Sequence, residues 1–242
     1  ANKLYYYFEK LFNLKALNKS MKDNSAKDFA KKAWHFIWHS DSPWSWIANI
    51  LIAFVLIKFI FYPVLGAVLG TPFPVVAVVS ESMEHGLHNG EICGQDFDSF
   101  PKNFDSYWNV CGPWYENNDN LESPIAKEDF KKFKFKNGFN KGDIMVLWRA
   151  NSNNLDVGDV LVFKGPGGQP IIHRVVKVSQ EDNSYFYQTK GDHNSDTFGG
   201  FLGEDSISED RIYGQAILRI PFLGWIKVGF ANFLSLFGIT VS

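Results

Sequence analysis

The sequence predicts a mainly β domain preceded by amphipathic and membrane-spanning helices, and three observations carry that prediction. Short β-branched runs recur between Val75 and Ile220, bounded by glycine, proline or asparagine. The 23 residues Ile47–Leu69 are apolar except for Asn49 and Lys58. Charge is also divided: residues 1–46 hold eight lysines against four acidic residues, a net +4, whereas residues 75–220 hold 14 basic and 22 acidic residues, a net −8.

Taken in order, residues 1–43 read as cytoplasmic or membrane-surface amphipathic helices. Leu4, Phe8, Leu11 and Phe12 repeat at helical spacing among lysines, as do Phe29, Ala33, Phe36 and Ile37. Residues 44–70 read as a transmembrane helix, since 23 apolar residues span a hydrocarbon core of about 30 Å and Trp44 and Trp46 suit its interface. Lys58 is costly at mid-helix, about 3 kcal/mol on insertion scales, so it needs a partner helix, a polar defect or a snorkelling route. Pro63 should kink or end the helix.

Residues 71–221 read as an extracytoplasmic β-rich domain, because basic flanks stay on the cytoplasmic side. Its predicted strands are Val75–Val79, Asp143–Trp148, Gly158–Phe163, Ile171–Val178, Tyr185–Thr189 and Ile212–Ile220. An insertion of about residues 91–140 breaks this pattern, with one short helix expected over Glu128–Lys136. Cys93 and Cys111 could form a disulfide across the insertion or remain two free thiols. Residues 222–242 form a C-terminal apolar, membrane-associated segment, either a second span or a shorter interfacial piece. The overall charge offers no basic surface for nucleic acid, and neither a CxxC nor a helical HExxH argues for metal. His85, His88 and His193 are the one metal set worth weighing, and it has little behind it. No cofactor is expected.

The candidate chemistry is hydrolytic. An amide is attacked by a hydroxyl only if a base takes its proton, something orients that base, and donors meet the oxyanion. Ser82 ends a β-branched run, His173 alternates with Ile171 and Val175 on one strand face, and Asp192 follows a glycine in a turn, with Asp196 nearby. Singly each has a bland explanation: a strand-end serine, a hydrogen-bonded core histidine, turn chemistry. Their joint occurrence beside a membrane anchor points to hydrolysis at the membrane.

The ordered motifs Ser80-x-Ser82-Met83, Gly142-Asp143-Ile144-Met145-Val146, Val157-Gly158-Asp159-Val160-Leu161-Val162-Phe163, Ile171-Ile172-His173-Arg174-Val175, Thr189-Lys190-Gly191-Asp192-His193-Asn194, Ile212-Tyr213-Gly214 and Ile220-Pro221-Phe222-Leu223-Gly224-Trp225 closely resemble type I signal peptidases of the archaeal and endoplasmic-reticulum kind. The resemblance implies a signal-peptidase-like β catalytic domain with Ser82 as nucleophile, His173 as general base and Asp192 as supporting acid. It also implies that Ser80 and the Ser82 backbone N–H hold the oxyanion. Asp196 is the candidate second aspartate, with Asp205 and Asp210 as alternatives. The chain departs from the family in having Glu84-His85 where x-Pro is common, and in the separation of 91 positions from Ser82 to His173.

The expectation is therefore a membrane-bound serine endopeptidase that removes signal peptides from secreted precursors. Its partners would be those precursors, membrane lipid and the secretion machinery, at the cytoplasmic membrane with the N-terminus inside. The competing expectation is a catalytically silent envelope protein that uses the β domain to bind partners.

Overall fold

The computed structural model describes residues 27–151, 155–225 and 229, and the chain divides into two compact units, residues 1–63 and 64–242. In the first unit, residues 27–39 form helix α1, covering the Phe29–Ile37 repeat. The other expected amphipathic helix, within residues 1–17, lies outside the described residues. Helix α2 runs Pro43–Leu69 and is long and apolar enough to cross a membrane. Ser42 caps it, its hydroxyl accepting the Trp44 N–H, with Pro43 at the first helical position where no N–H is needed. Ser45 Oγ and Asn49 Nδ2 donate to the Phe36 and Ile37 carbonyls, so two of the few polar groups of α2 are spent on α1.

Pro63 does not end the helix. The turn before it, Ile57–Phe61, widens to a π-helix, which removes the demand for an N–H at the proline and relieves its ring from the preceding carbonyls. Lys58 lies in that widened turn, its ammonium 5.6 Å and 5.7 Å from the centroids of the Phe54 and Phe59 rings. Aromatic faces thus supply part of what the lysine lacks in an apolar stretch.

The second unit is built on a seven-stranded antiparallel sheet: β1 (Val75–Ala77), β4 (Ile144–Trp148), β9 (Ile212–Ile220), β5 (Val160–Lys164), β6 (Pro170–Glu181), β7 (Ser184–Lys190) and β8 (Ile207–Ser208), in that spatial order. A separate hairpin joins β2 (Glu91–Ile92) to β3 (Gln95–Asp96). The mainly β expectation holds: each predicted run overlaps a strand, while the two-residue strands β2, β3 and β8 answer to no predicted run. β6 and β7 are tied by Asp182-Asn183, both at positive φ, the conformation that matches a two-residue hairpin to strand twist. One face of β5 and β6 buries Leu161, Phe163 and Val175 with Tyr187 and Ile207; the other buries Val160 and Val162 with Met83, Met145 and Ala216.

The insertion is more ordered than its sequence suggests. Helix α3 (Phe104–Asn117) is capped by Asn103, whose side chain accepts the Ser106 N–H, and it buries Tyr107, Trp108, Cys111 and Tyr115. These fall at helical spacing, but Gly112-Pro113 hides the pattern. The helix expected over Glu128–Lys136 is reduced to one turn, α4 (Lys127–Phe130), and Phe130 completes the aromatic cluster. Cys93 and Cys111 form a disulfide. Residues 226–228 and 230–242, on which the C-terminal segment was expected, lie outside the described residues.

Candidate active site

Ser82 sits on a loop fastened from two sides. β1 stops at Ala77, but Val78 still exchanges hydrogen bonds with residues 142–143, donating to Asp143 O and accepting from Gly142 N–H. Beyond it, Met83 O accepts from Phe139 N–H, and Lys141 bonds both Glu81, through Nζ at 2.8 Å, and Glu84, through its backbone N–H at 2.9 Å. From the other side, His193 N–H donates to Ser82 O at 2.9 Å and Asp192 N–H to the Met83 thioether at 3.4 Å. The Ser82 hydroxyl, half-buried, lies 3.1 Å from that of Ser80, which is exposed.

His173 is buried on β6 opposite Leu161, its ring edge-on to Phe163. Its Nδ1 is bonded to Glu204 Oε1. Glu204 is wholly buried, at the end of the one-turn helix α5 (Gly199–Leu202), just past Gly203, whose positive φ turns the chain inward. Thr189 Oγ1 also donates to Oε1, Phe198 N–H donates to Oε2, and the Glu204 carbonyl accepts Thr189 N–H. Two donors thus hold the carboxylate and a third its backbone, and the carboxylate in turn fixes the ring. With Nδ1–H spent on Glu204, a neutral imidazole offers its lone pair at Nε2. Among the described residues Nε2 makes no hydrogen bond, and none joins it to Ser82 Oγ.

Gly191 brings the two groups into one neighbourhood. The last pair of the β6–β7 ladder is Arg174 with Lys190, so the next step sets Gly191 across from His173. A Cβ on Gly191 would meet Ser82 O at 2.8 Å and the Asn194 amide at 2.5 Å. The missing side chain leaves the space that the Ser82 loop fills.

Asp192, expected behind His173, is placed elsewhere. Its buried carboxylate accepts from Arg174 Nε at 2.8 Å and Nη2 at 2.7 Å, from His85 Nε2 at 2.9 Å and from Tyr115 OH at 3.3 Å. The cause is strand alternation: Arg174 and His173 point to opposite faces of β6, and Asp192 follows Arg174. Burial alone would raise the Asp192 carboxyl, but Arg174 and the His85 hydrogen bond outweigh it and hold it far below the usual carboxylate range. Burial lowers His85, more than Asp192 raises it. Lys190, wholly buried over the Trp114 and Tyr115 rings, is pushed down by burial to about 8, against the pull of Asp192, Asp196 and Glu204.

Asp196 is occupied with Trp114 Nε1 and the Thr197 N–H, and Asp210 with the Ser208 hydroxyl; like Asp205, neither is bonded to His173. The residue the sequence reading missed is therefore Glu204. Its local context, Leu202-Gly203-Glu204-Asp205, carries no catalytic signature, and only the fold shows that a glutamate rather than an aspartate meets the ring. Of the three histidines weighed as a metal set, His85 is committed to Asp192 and His193 Nδ1 lies 3.2 Å from Glu84 O. A cavity of about 430 Å³ beside His85 is lined by Lys102, Asn103, Asn137 and Asn140 but by neither Ser82 nor His173.

No family model matches the chain. Among curated proteins, it is 34% identical over 94 residues to the signal peptidase complex catalytic subunit SEC11 of Verticillium alfalfae, covering 37% of this chain and 55% of that protein. It is 31% identical over 94 residues to human SEC11C, covering 37% and 49%, and 34% identical to SEC11 of Metarhizium robertsii, covering 37% and 55%. The chain is similar to the signal peptidases of the endoplasmic-reticulum type. It spans about half the length of these SEC11 relatives. The similarity to SEC11 agrees in family with the resemblance of the ordered motifs, and the His173–Glu204 pairing is what the geometry adds to it.

Proposed function

We propose that this chain is a membrane-anchored serine endopeptidase that removes signal peptides from secreted precursors. Ser82 Oγ attacks the scissile carbonyl as its proton passes to His173 Nε2; Glu204 holds the ring and stabilises the charge it gains. The tetrahedral oxyanion is met by the Ser82 N–H and the Ser80 hydroxyl. Its collapse breaks the C–N bond, with the proton moving from His173 to the leaving amine, and water then cleaves the Ser82 ester by the same route in reverse. The observation that carries this reading is the His173–Glu204 bond, which leaves Nε2 as the lone-pair end of a buried ring. Asp192 supports the fold in place of the acid role first expected of it.

The substrate would lie extended beside β1, an edge strand of the sheet, and add main-chain hydrogen bonds there. Residues 71–221 would be the extracytoplasmic catalytic domain and α2 its anchor, at the cytoplasmic membrane with the N-terminus inside. The charge asymmetry and the Cys93–Cys111 disulfide both favour that orientation, since disulfides persist where thiols are not kept reduced. The SEC11 relatives are named as subunits of a complex, so partners from the secretion machinery are proposed here too.

The test is cleavage of a labelled precursor by the full chain in lipid. Wild type should release the signal peptide, and Ser82→Ala and His173→Ala should not. Equal release by all three refutes the assigned roles, and no release by any of them favours the silent binding protein.

A further inference from the structure

The insertion has no part in the peptidase reading, yet it is bonded to the loop on which Ser82 depends. Residues 192–193 lie between two sets of contacts. On one edge they hold Ser82 and Met83, through His193 N–H to Ser82 O and Asp192 N–H to Met83 Sδ. On the other they are held by the insertion. Cys93 N–H donates to His193 O at 2.9 Å, Tyr107 OH donates to Asp192 O at 3.0 Å, and Tyr115 OH donates to Asp192 Oδ1. Cys93 Sγ rests 3.4 Å from Asp192 O, a contact and not a hydrogen bond, because a disulfide sulfur has no proton. The Tyr107 ring stacks on His85, itself bonded to Asp192, with centroids 3.4 Å apart.

The loop has few alternatives. The β6–β7 ladder ends at Arg174 and Lys190, so the sheet holds residues 191–196 not by ladder pairing but through Arg174 on the Asp192 carboxylate. The insertion contributes from two pieces, Cys93 in the turn of the β2–β3 hairpin and Tyr107 and Tyr115 on α3, and the Cys93–Cys111 bond is the cross-link between them.

We propose that Cys93, Tyr107 and Tyr115 are positioning residues for Ser82, and that the Cys93–Cys111 disulfide is the reducible lock on that arrangement. The proposal rests on the peptidase reading for its effect on activity but not for its effect on structure. Cys111 is buried and Cys93 half-buried, so a dithiol attacks at Cys93 Sγ. Its thiolate forms a mixed disulfide there and expels the Cys111 thiolate, and its second thiol then closes to the reagent's own disulfide. Two electrons and two protons pass to the protein, leaving two cysteine thiols. The hairpin and α3 are then free to separate, and residues 192–193 lose the insertion's restraints while keeping those of Arg174 and the serine loop.

The experiment compares the full chain in micelles, oxidised and after dithiothreitol, by hydrogen–deuterium exchange and by cleavage of a labelled precursor. Reduction should speed exchange at residues 80–86 and 189–197 at least tenfold while residues 158–178 stay within twofold. It should also lower kcat at least tenfold with KM within twofold, reversibly on reoxidation. Cys111→Ser should rest in the reduced behaviour and ignore dithiothreitol, and Tyr107→Phe, which keeps the ring stack, should give a smaller shift in the same segments. Two titratable thiols with unchanged exchange at both segments overturn the proposal, as does a uniform rise that includes residues 158–178. Should neither form cleave the precursor, the peptidase reading fails while exchange still decides the lock.

Discussion

Glu204 holds the Nδ1 of His173 from a point 31 residues further along the chain, across β7 and the loop that follows it. That bond sets the tautomer of the ring, and with it the atom that can receive a proton. Glu204→Gln keeps the volume but presents an amide that can donate to Nδ1 and favour the wrong tautomer. Cleavage of a labelled precursor should fall by about 10² to 10⁴-fold in kcat. Glu204→Gln activity within threefold of wild type would remove Glu204 from the mechanism.

Asp192 should behave as a structural anion. Asp192→Ala leaves the Arg174 guanidinium buried without its partner and should cost about 3–5 kcal/mol in urea unfolding. The pair replacement Arg174→Met with Asp192→Leu should recover most of that loss, because neither charge is then stranded. Equal destabilisation by the single and double variants would contradict this account.

Stability should respond to pH at both ends. The Asp192 pKa is depressed by folding, so its contribution is complete above the ordinary carboxyl value of 3.8 and is lost as pH falls below it. The Lys190 pKa is also depressed, from 10.5 to about 8, so here the unfolded chain binds the extra proton and stability rises with pH between those values. Urea midpoints taken from pH 7.5 to 10 should increase in wild type relative to Lys190→Met. Parallel profiles would show that Lys190 keeps its ordinary affinity for the proton.

Gly191 tests the packing of the nucleophile loop without removing a polar group. Gly191→Ala places a methyl group 2.8 Å from Ser82 O, so the loop must shift. A displacement of the order of 1 Å costs about 10²-fold in rate. The expected result is a large fall in kcat with the urea midpoint only modestly lowered; unchanged kinetics would mean that the loop adapts freely.

Six of the seven sheet strands are legible because they alternate or run apolar between turn residues, β9 to the residue, whereas the two residues of β8 are too short a run to show a period. Helix α3 was not, since Gly112-Pro113 interrupts a helical aromatic spacing that only the Cys93 tie and Phe130 make useful. At the candidate site, Ser82 and His173 announce themselves through ordered motifs, whereas the acid does not. Gly191-Asp192 resembles a supporting aspartate in sequence, but the alternation of β6 sends it to Arg174. Glu204 is chosen by the path of residues 198–204, a tertiary fact with no periodicity behind it.

Met83 has a further use. Its thioether accepts the Asp192 N–H and is wholly enclosed, so a mild peroxide can reach the sulfur only during excursions that part the serine loop from residues 191–193. The sulfoxide formed at this one position is a permanent record of each opening, and its accumulation by mass counts how often the candidate site breathes.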